Sequence, residues 1–210
     1  MRRKKALRAL LALIITGLLA SAAAAAVLFL RGGGEDERRE GDLPRVRVEM
    51  ESGGVFVIEL YPQYAPATAA NFLALVGEGF YDGLTFHRII DGYMAVGGAP
   101  DAAGAGGSGN LPGEFAANGY AGNTLSHTKG VVSMIRRADD PNSAGSQFFI
   151  LLSNNYTRFD GEYAAFGKVV EGMDVVDAFQ FVERALGPDG RVSSPVKPVV
   201  MKKLAVVSEG

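Results

Sequence analysis

The sequence predicts a mainly β domain, an antiparallel barrel carrying two helices, preceded by one membrane-spanning helix. Three observations carry this. Apolar runs of strand length recur between turn-rich stretches. Only two segments, far apart in the chain, show helical periodicity. The regular alternation of strand and helix that builds a parallel sheet is absent, which disfavours a Rossmann sheet. The chain has 210 residues and is 48% hydrophobic, enough for one domain with a real core and some extra length. No internal repeat is evident.

The N-terminus is the clearest segment. "MRRKKALR", residues 1–8, carries five basic residues. Residues 9–30, "ALLALIITGLLASAAAAAVLFL", hold 22 residues without a charge. About 20 are needed to cross a bilayer as a helix. The basic flank favours a cytoplasmic N-terminus and sends the rest of the chain outward, as in a single-pass membrane protein. The competing reading is a cleaved signal peptide and a secreted domain, because "ASAAAAA" suits a cleavage site. "VLFL" continues the apolar run past the alanines and favours the anchor. There is no lipobox cysteine. Residues 31–44 are glycine and mixed charge, and read as a flexible linker. The folded domain is expected over residues 45–208.

Within it, "RVRVEM" alternates apolar and charged residues, "ESGG" signals a turn, and "VFVIEL" completes a hairpin. "APATAANFLALVGEGF" reads as a helix. Pro66 suits its first turn, Ala69, Phe72, Leu73 and Val76 share a face, and Gly77 and Gly79 stop it. "LTFHRII" and "YMAVGG" are strand-like. Residues 99–122 form a long loop rich in glycine, alanine and asparagine. "GVVSMI", "SQFFILL" and "YAAFGKVV" are three more strands. "GMDVVDAFQFVER" reads as a second short helix with Met173, Val176 and Phe179 on one face, and "PVVMKKLAVVS" closes the chain as a strand.

Several functions are excluded or weakened. A net charge of −2 gives no electrostatic case for nucleic acid. The absence of cysteine rules out disulfides, thiolate catalysis and cysteine-ligated zinc. The two histidines, His87 and His127, lie in no H-E-x-x-H spacing, so no metal site is expected. "GAGGSG" at 104–109 matches G-x-G-x-x-G, but it has no strand before it and Pro112 where a helix should run. It reads as loop. No G-x-S-x-G occurs. A Ser-His-Asp set built on His87 or His127 has only weak support.

What remains is Arg88 in "FHRII", Gln147 in "GSQFFILL", and the aromatics Tyr93, Phe148, Phe149, Phe159 and Tyr163. Strand alternation puts His87 on the face opposite Phe86 and Arg88. It puts Gln147 and Phe149 on one face and Phe148 on the other. A guanidinium, a carboxamide and aromatic surface would suit an apolar ring beside an amide carbonyl. The competing reading pairs Arg88 with a carboxylate and leaves the aromatics in the core. The pattern alone does not choose between them.

"YDGLTFHRIIDGYM", "GVVSM", "AGSQFFI" and "FDGEYAAFGKVVEGMDVVD", in that order, strongly resemble the cyclophilin family of peptidyl-prolyl cis-trans isomerases. "APATAANF" is similar to the family's first helix, and "DPNSAGSQFFI" resembles bacterial members. The resemblance covers residues 45–208. It implies a closed eight-stranded antiparallel barrel capped by two α-helices, with the active site on its outer face. It implies that Arg88 matches the catalytic arginine. Tyr93, Met94, Gln147, Phe149, Phe159 and Tyr163 match pocket residues. It implies proline-containing polypeptide substrates and no metal or cofactor.

The sequence departs from the family at several positions. Val96 in "MAVGG" stands where members commonly have a glutamine that helps orient the arginine, and Ala99 replaces an acidic residue. Ile135 is larger than the usual alanine and narrows the neighbouring pocket. Arg158 stands where some members carry tryptophan, which puts cyclosporin sensitivity in doubt. Tyr163 replaces histidine, and Tyr93 keeps a ring in place of phenylalanine. Two functions follow: an active prolyl isomerase assisting folding outside the membrane, or a weak or inactive module that binds proline-containing segments. Arg88, Met94, Gln147 and Phe149 favour the first; Val96 and Ile135 favour the second.

Overall fold

β-Branched and aromatic residues in short runs, broken by glycine turns, fold into strands that pair both with sequence neighbours and across long loops, and the sheet curls. The computed structural model describes residues 43–207, apart from 102, 108 and 109. The expected anchor over 9–30 and the linker up to residue 42 lie outside the described residues. Among the described residues no helix is long and apolar enough to cross a membrane.

The strands are β1 (Arg45–Met50), β2 (Val55–Leu60), β3 (Thr85–Ile90), β4 (Met94–Ala99), β5 (Val131–Met134), β6 (Phe148–Leu151), β7 (Ala165–Glu171), β8 (Arg184–Leu186), β9 (Val192–Pro195) and β10 (Met201–Val207). Helix α1 spans Pro66–Gly77 and α2 spans Met173–Asp177. Eight strands form one antiparallel sheet in the order β10-β1-β2-β7-β5-β6-β4-β3, and β8 pairs with β9 in a separate hairpin.

The closed barrel expected from the sequence is not formed. Among the described residues, the edge strand β3 and the start of β10 meet at the isolated bridge Thr85–Val200, supported by the backbone bonds Phe86 N to Val199 O (2.9 Å) and Met201 N to Leu84 O (2.8 Å). The rest of β10 is laddered to β1, and β3 is irregular at His87, so no second ladder continues. The β8–β9 hairpin packs against β3 instead. The result is a curled half-barrel.

The inside of the curl is aromatic. Phe72 of α1 packs on Tyr81, Phe148 and Phe166 with ring centroids 5.1, 5.5 and 5.1 Å apart, and Phe86 and Phe56 both pack on Phe179. Helix α1 buries Ala69, Phe72 and Val76 as its periodicity predicts, but Leu75 rather than Leu73 completes the face. The second helix is shorter than predicted. It passes into a 3-10 turn at Ala178–Phe181, and Arg184, read as its end, begins β8. Arg184 is held there by Asp91 at 2.7 Å and by the Gln180 carbonyl at 2.8 Å. The buried face of Val176 and Phe179 is as predicted.

Candidate active site

The site begins with an irregularity in β3. Across β3 and β4, Phe86 faces Gly97 and Arg88 faces Val96, so His87 is an extra residue in the ladder. Simple alternation would put Phe86 and Arg88 on one face. The bulge separates them. Phe86 is wholly buried in the core, whereas His87 and Arg88 both line an outer cavity of about 260 Å³. Bulges of this kind re-aim side chains beside functional sites. The alternation on β6 holds: Phe148 points into the core, and Phe149 belongs to a separate outer cluster.

From Arg88 a lateral row crosses the sheet. Val96 of β4 pairs with Arg88 on one side and with Phe149 of β6 on the other, and Phe149 pairs with Ser133 of β5. Strands lie roughly 4.8 Å apart, so two steps carry the row from the guanidinium strand to the aromatic one. The outer cluster contains Met94, Val96 and Phe149, with Tyr93, Ile135, Phe159 and Tyr163 packed against it. Phe149 meets Phe159 and Tyr163 edge-on at 6.0 and 5.7 Å, and Tyr93 lies 6.0 Å from Phe159. Apart from Phe148, which enters the core, every candidate residue singled out from the sequence lies in this row, in its cluster or on the cavity beside it.

The polar members are tied down. Gln147 spends its amide hydrogens on the carbonyls of Gly104 and Gly106, at 3.1 and 2.6 Å, and among the described residues its side-chain oxygen accepts no hydrogen bond. Ile135 lines both the Arg88 cavity and a second cavity of about 360 Å³, which Arg136, Arg137 and Gln147 also line. Arg158 lays its guanidinium over Tyr156, Phe159 and Tyr93 at 4.8, 5.2 and 5.8 Å. A cation covers the aromatic surface there.

The Arg88 Nε donates to Asp189 Oδ2 at 2.8 Å. Asp189 sits in the β8–β9 turn, and Pro188 beside it lines the same cavity. The carboxylate pairing considered from the sequence is thus present, and the aromatics gather in a cluster separate from the main core. Burial raises the Asp189 pKa, but hydrogen bonds from Ser193, Arg191 and Arg88 outweigh it and hold the carboxyl below its usual value. Asp189 and its hairpin were missed from the sequence. The signal was "GPDG", a turn pattern, between "RAL" and "RVS".

A Ser-His-Asp set does assemble under the floor. His127 Nδ1 lies 2.9 Å from Asp160 Oδ1 and Nε2 lies 3.2 Å from Ser133 Oγ. A carboxylate only accepts, so Nδ1 carries the proton and Ser133 donates to Nε2. Ser133 is 0% exposed and His127 1% exposed, so no substrate reaches the hydroxyl. The set supports the floor instead: the His127 ring is stacked on Phe149 at 6.2 Å and meets Phe159 edge-on at 5.8 Å.

Burial lowers the His127 pKa below its ordinary 6.5, against the pull of Asp160. For Asp160 burial acts upward, and bonds from the His127 backbone, Ser126 and the His127 ring bring it down. In the unfolded chain the imidazole takes its proton near 6.5, and in the folded chain only at lower pH. Stability is therefore full above that value and falls as the pH drops through it. His87 acts with the same sign, lowered by burial and then by the charge of Arg88. Urea midpoints are expected to fall from about pH 7.5 to about pH 5, and the slope to flatten in His127→Gln. An unchanged slope in the variant would show that His127 does not titrate with unfolding.

Residues 45–206 match the family profile described as "Cyclophilin type peptidyl-prolyl cis-trans isomerase/CLD". Peptidyl-prolyl cis-trans isomerase B of Bacillus subtilis is 42% identical over 125 residues, 60% of this chain and 82% of that protein. Peptidyl-prolyl cis-trans isomerase-like 1 of Neurospora crassa is 39% identical over 157 residues, 74% of this chain and 90% of that protein. Among solved structures, a cyclophilin-type isomerase of Cryptosporidium parvum superposes with a TM-score of 0.70 at 28% identity, covering 80% of this chain and 99% of that one. The same Cryptosporidium protein in the presence of the dipeptide Ala-Pro gives a TM-score of 0.68.

Proposed function

The chain belongs to the cyclophilin-type peptidyl-prolyl cis-trans isomerases, and we propose that it accelerates Xaa-Pro rotation with Arg88, on polypeptides outside a cytoplasmic membrane. The lateral row Arg88–Val96–Phe149 supports the site reading, because it sets a fixed cation beside an aromatic floor.

Rotation about a peptide bond faces a barrier of about 18–20 kcal/mol, because resonance stiffens the C–N bond. The twisted transition state loses that resonance, and its nitrogen gains a lone pair. An N–H aimed at this lone pair stabilises the twisted form more than the planar one, which is differential binding. Arg88 is the donor, and its charge persists at any working pH. Met94, Phe149 and Phe159 seat the proline ring. The oxygen of Gln147 accepts a substrate N–H. Lowering the barrier by about 5 kcal/mol accelerates rotation several-thousand-fold. No bond between heavy atoms is made or broken, so the step calls for no nucleophile and no Lewis acid.

The test is NMR exchange on an Xaa-Pro peptide with the full chain. Exchange cross-peaks between cis and trans resonances are expected. Peptide line broadening without such peaks would leave a proline-binding module. The membrane placement is supported by the uncharged stretch 9–30 behind a basic N-terminus. The full chain is expected in the membrane fraction of a bacterial host, with its domain cut by protease added from outside. Recovery in the cytosol would overturn this placement, and recovery in the medium without residues 1–30 would indicate a cleaved signal.

A further inference from the structure

We propose that Asp189, on the β8–β9 hairpin, is the positioning residue for Arg88. The proposal rests on the reading of Arg88 given above. Asp189 takes only the inner nitrogen, Nε, at 2.8 Å. The two terminal nitrogens of Arg88 bond to none of the described residues. One edge of the guanidinium is therefore gripped and the other is left for substrate.

Asp189 is itself held. Its Oδ1 accepts from the Ser193 hydroxyl at 2.7 Å and from the Arg191 backbone at 3.1 Å. The turn is closed by Gly187 N to Arg191 O at 2.7 Å and by Gly190 N to Gly187 O at 3.0 Å. Gly190 takes a φ of +72°, and a Cβ on Gly187 would lie 2.6 Å from Ser193 Oγ. The carboxylate thus stands on a turn with little freedom.

Among the described residues, Arg88 has no other side-chain partner. Val96, directly opposite, has no polar side-chain group, and neither has Ile135. Gln147 directs its amide to Gly104 and Gly106. Arginine has a long flexible stem, and fixing it before substrate arrives removes ordering cost from the transition state. Asp189 does from the hairpin what a polar residue at position 96 would do from β4.

The test compares Asp189→Ala, Arg88→Ala and the double variant of the full chain, with kcat, KM and Tm for each. Asp189→Ala is expected to lower kcat about tenfold, short of the ~100-fold that a misplacement near 1 Å can cost. KM should stay within about twofold, since the apolar seat is untouched. In the Arg88→Ala background the same change should add nothing, because its effect runs through Arg88. Val96→Gln placed on Asp189→Ala should recover part of the loss. A merely structural hairpin contact would lower Tm and leave kcat alone, which overturns the proposal. A rise in kcat/KM also overturns it and makes the Pro188–Asp189 turn a brake on the site. If Arg88→Ala keeps wild-type kcat, the reading of Arg88 falls and this proposal with it. If Arg88→Ala is impaired and Asp189→Ala is not, only this proposal falls.

Discussion

Arg88→Ala is expected to lower kcat/KM by about 100- to 1,000-fold, the usual cost of removing one preorganised donor from a developing charge. The loss should fall on kcat, because the proposed apolar seat of Met94, Phe149 and Phe159 is left intact. Fold stability should barely move. The Arg88–Asp189 pair is partly exposed, with side chains 34% and 22% accessible, and such pairs contribute little. Arg88→Lys should be nearly as poor as alanine. Lysine keeps the charge, but it has no planar fork that can offer one edge to Asp189 and the other to substrate. The check is an Xaa-Pro peptide assay beside thermal unfolding. Near-wild-type turnover in Arg88→Ala, with Tm unchanged, would remove the arginine from the mechanism.

Much of this site is legible in the sequence because strands are simple to read. Val132, Phe148, Phe149 and Phe166 sit in runs whose period and composition fix them as strands. The sides of Gln147, Phe148 and Phe149 follow from alternation alone. Arg88 is different. Alternation puts it beside Phe86, and one extra residue at His87 reverses that, so the strand carrying Arg88 is the one where the simple rule fails. Nothing local to "TFHRII" announces a bulge. Its cause is tertiary: Phe86 must enter the aromatic core while its edge meets Val199 and Val200. Barrel closure was illegible for a related reason. Whether two edge strands ladder depends on what lies between them, and here the β8–β9 hairpin packs against β3. That hairpin was hidden because "FQFVER" continues the helical pattern of α2 until Arg184 is drawn to Asp91.

Helix α1 shows the same limit in its cap, and it leads to the second large effect. Pro66 marks its start, but Ala65 offers no side-chain acceptor to the first turn. The acceptor comes from Glu114, inside the stretch read only as loop. Its carboxylate accepts from Ala67 N at 2.9 Å, Thr68 N at 2.8 Å and Thr68 Oγ at 2.7 Å. Glu114 is 5% exposed, so few waters could replace it. A buried anion at the N-terminus of a 12-residue helix also suits the helix dipole. Glu114→Ala strands three donors, two of them buried, and is expected to cost about 3 kcal/mol. For a domain of this size that is a fall in Tm of roughly 6–12 °C. Glu114→Gln should recover little, since its amide nitrogen must face either the Ala67 N–H or the Thr68 pair, donor against donor. Thermal unfolding of the two variants checks this. A shift under about 2 °C for alanine would mean that water reaches the helix start and that α1 does not need the loop. The larger shift would show that Glu114 ties its loop to α1, the same loop whose Gly104 and Gly106 hold Gln147.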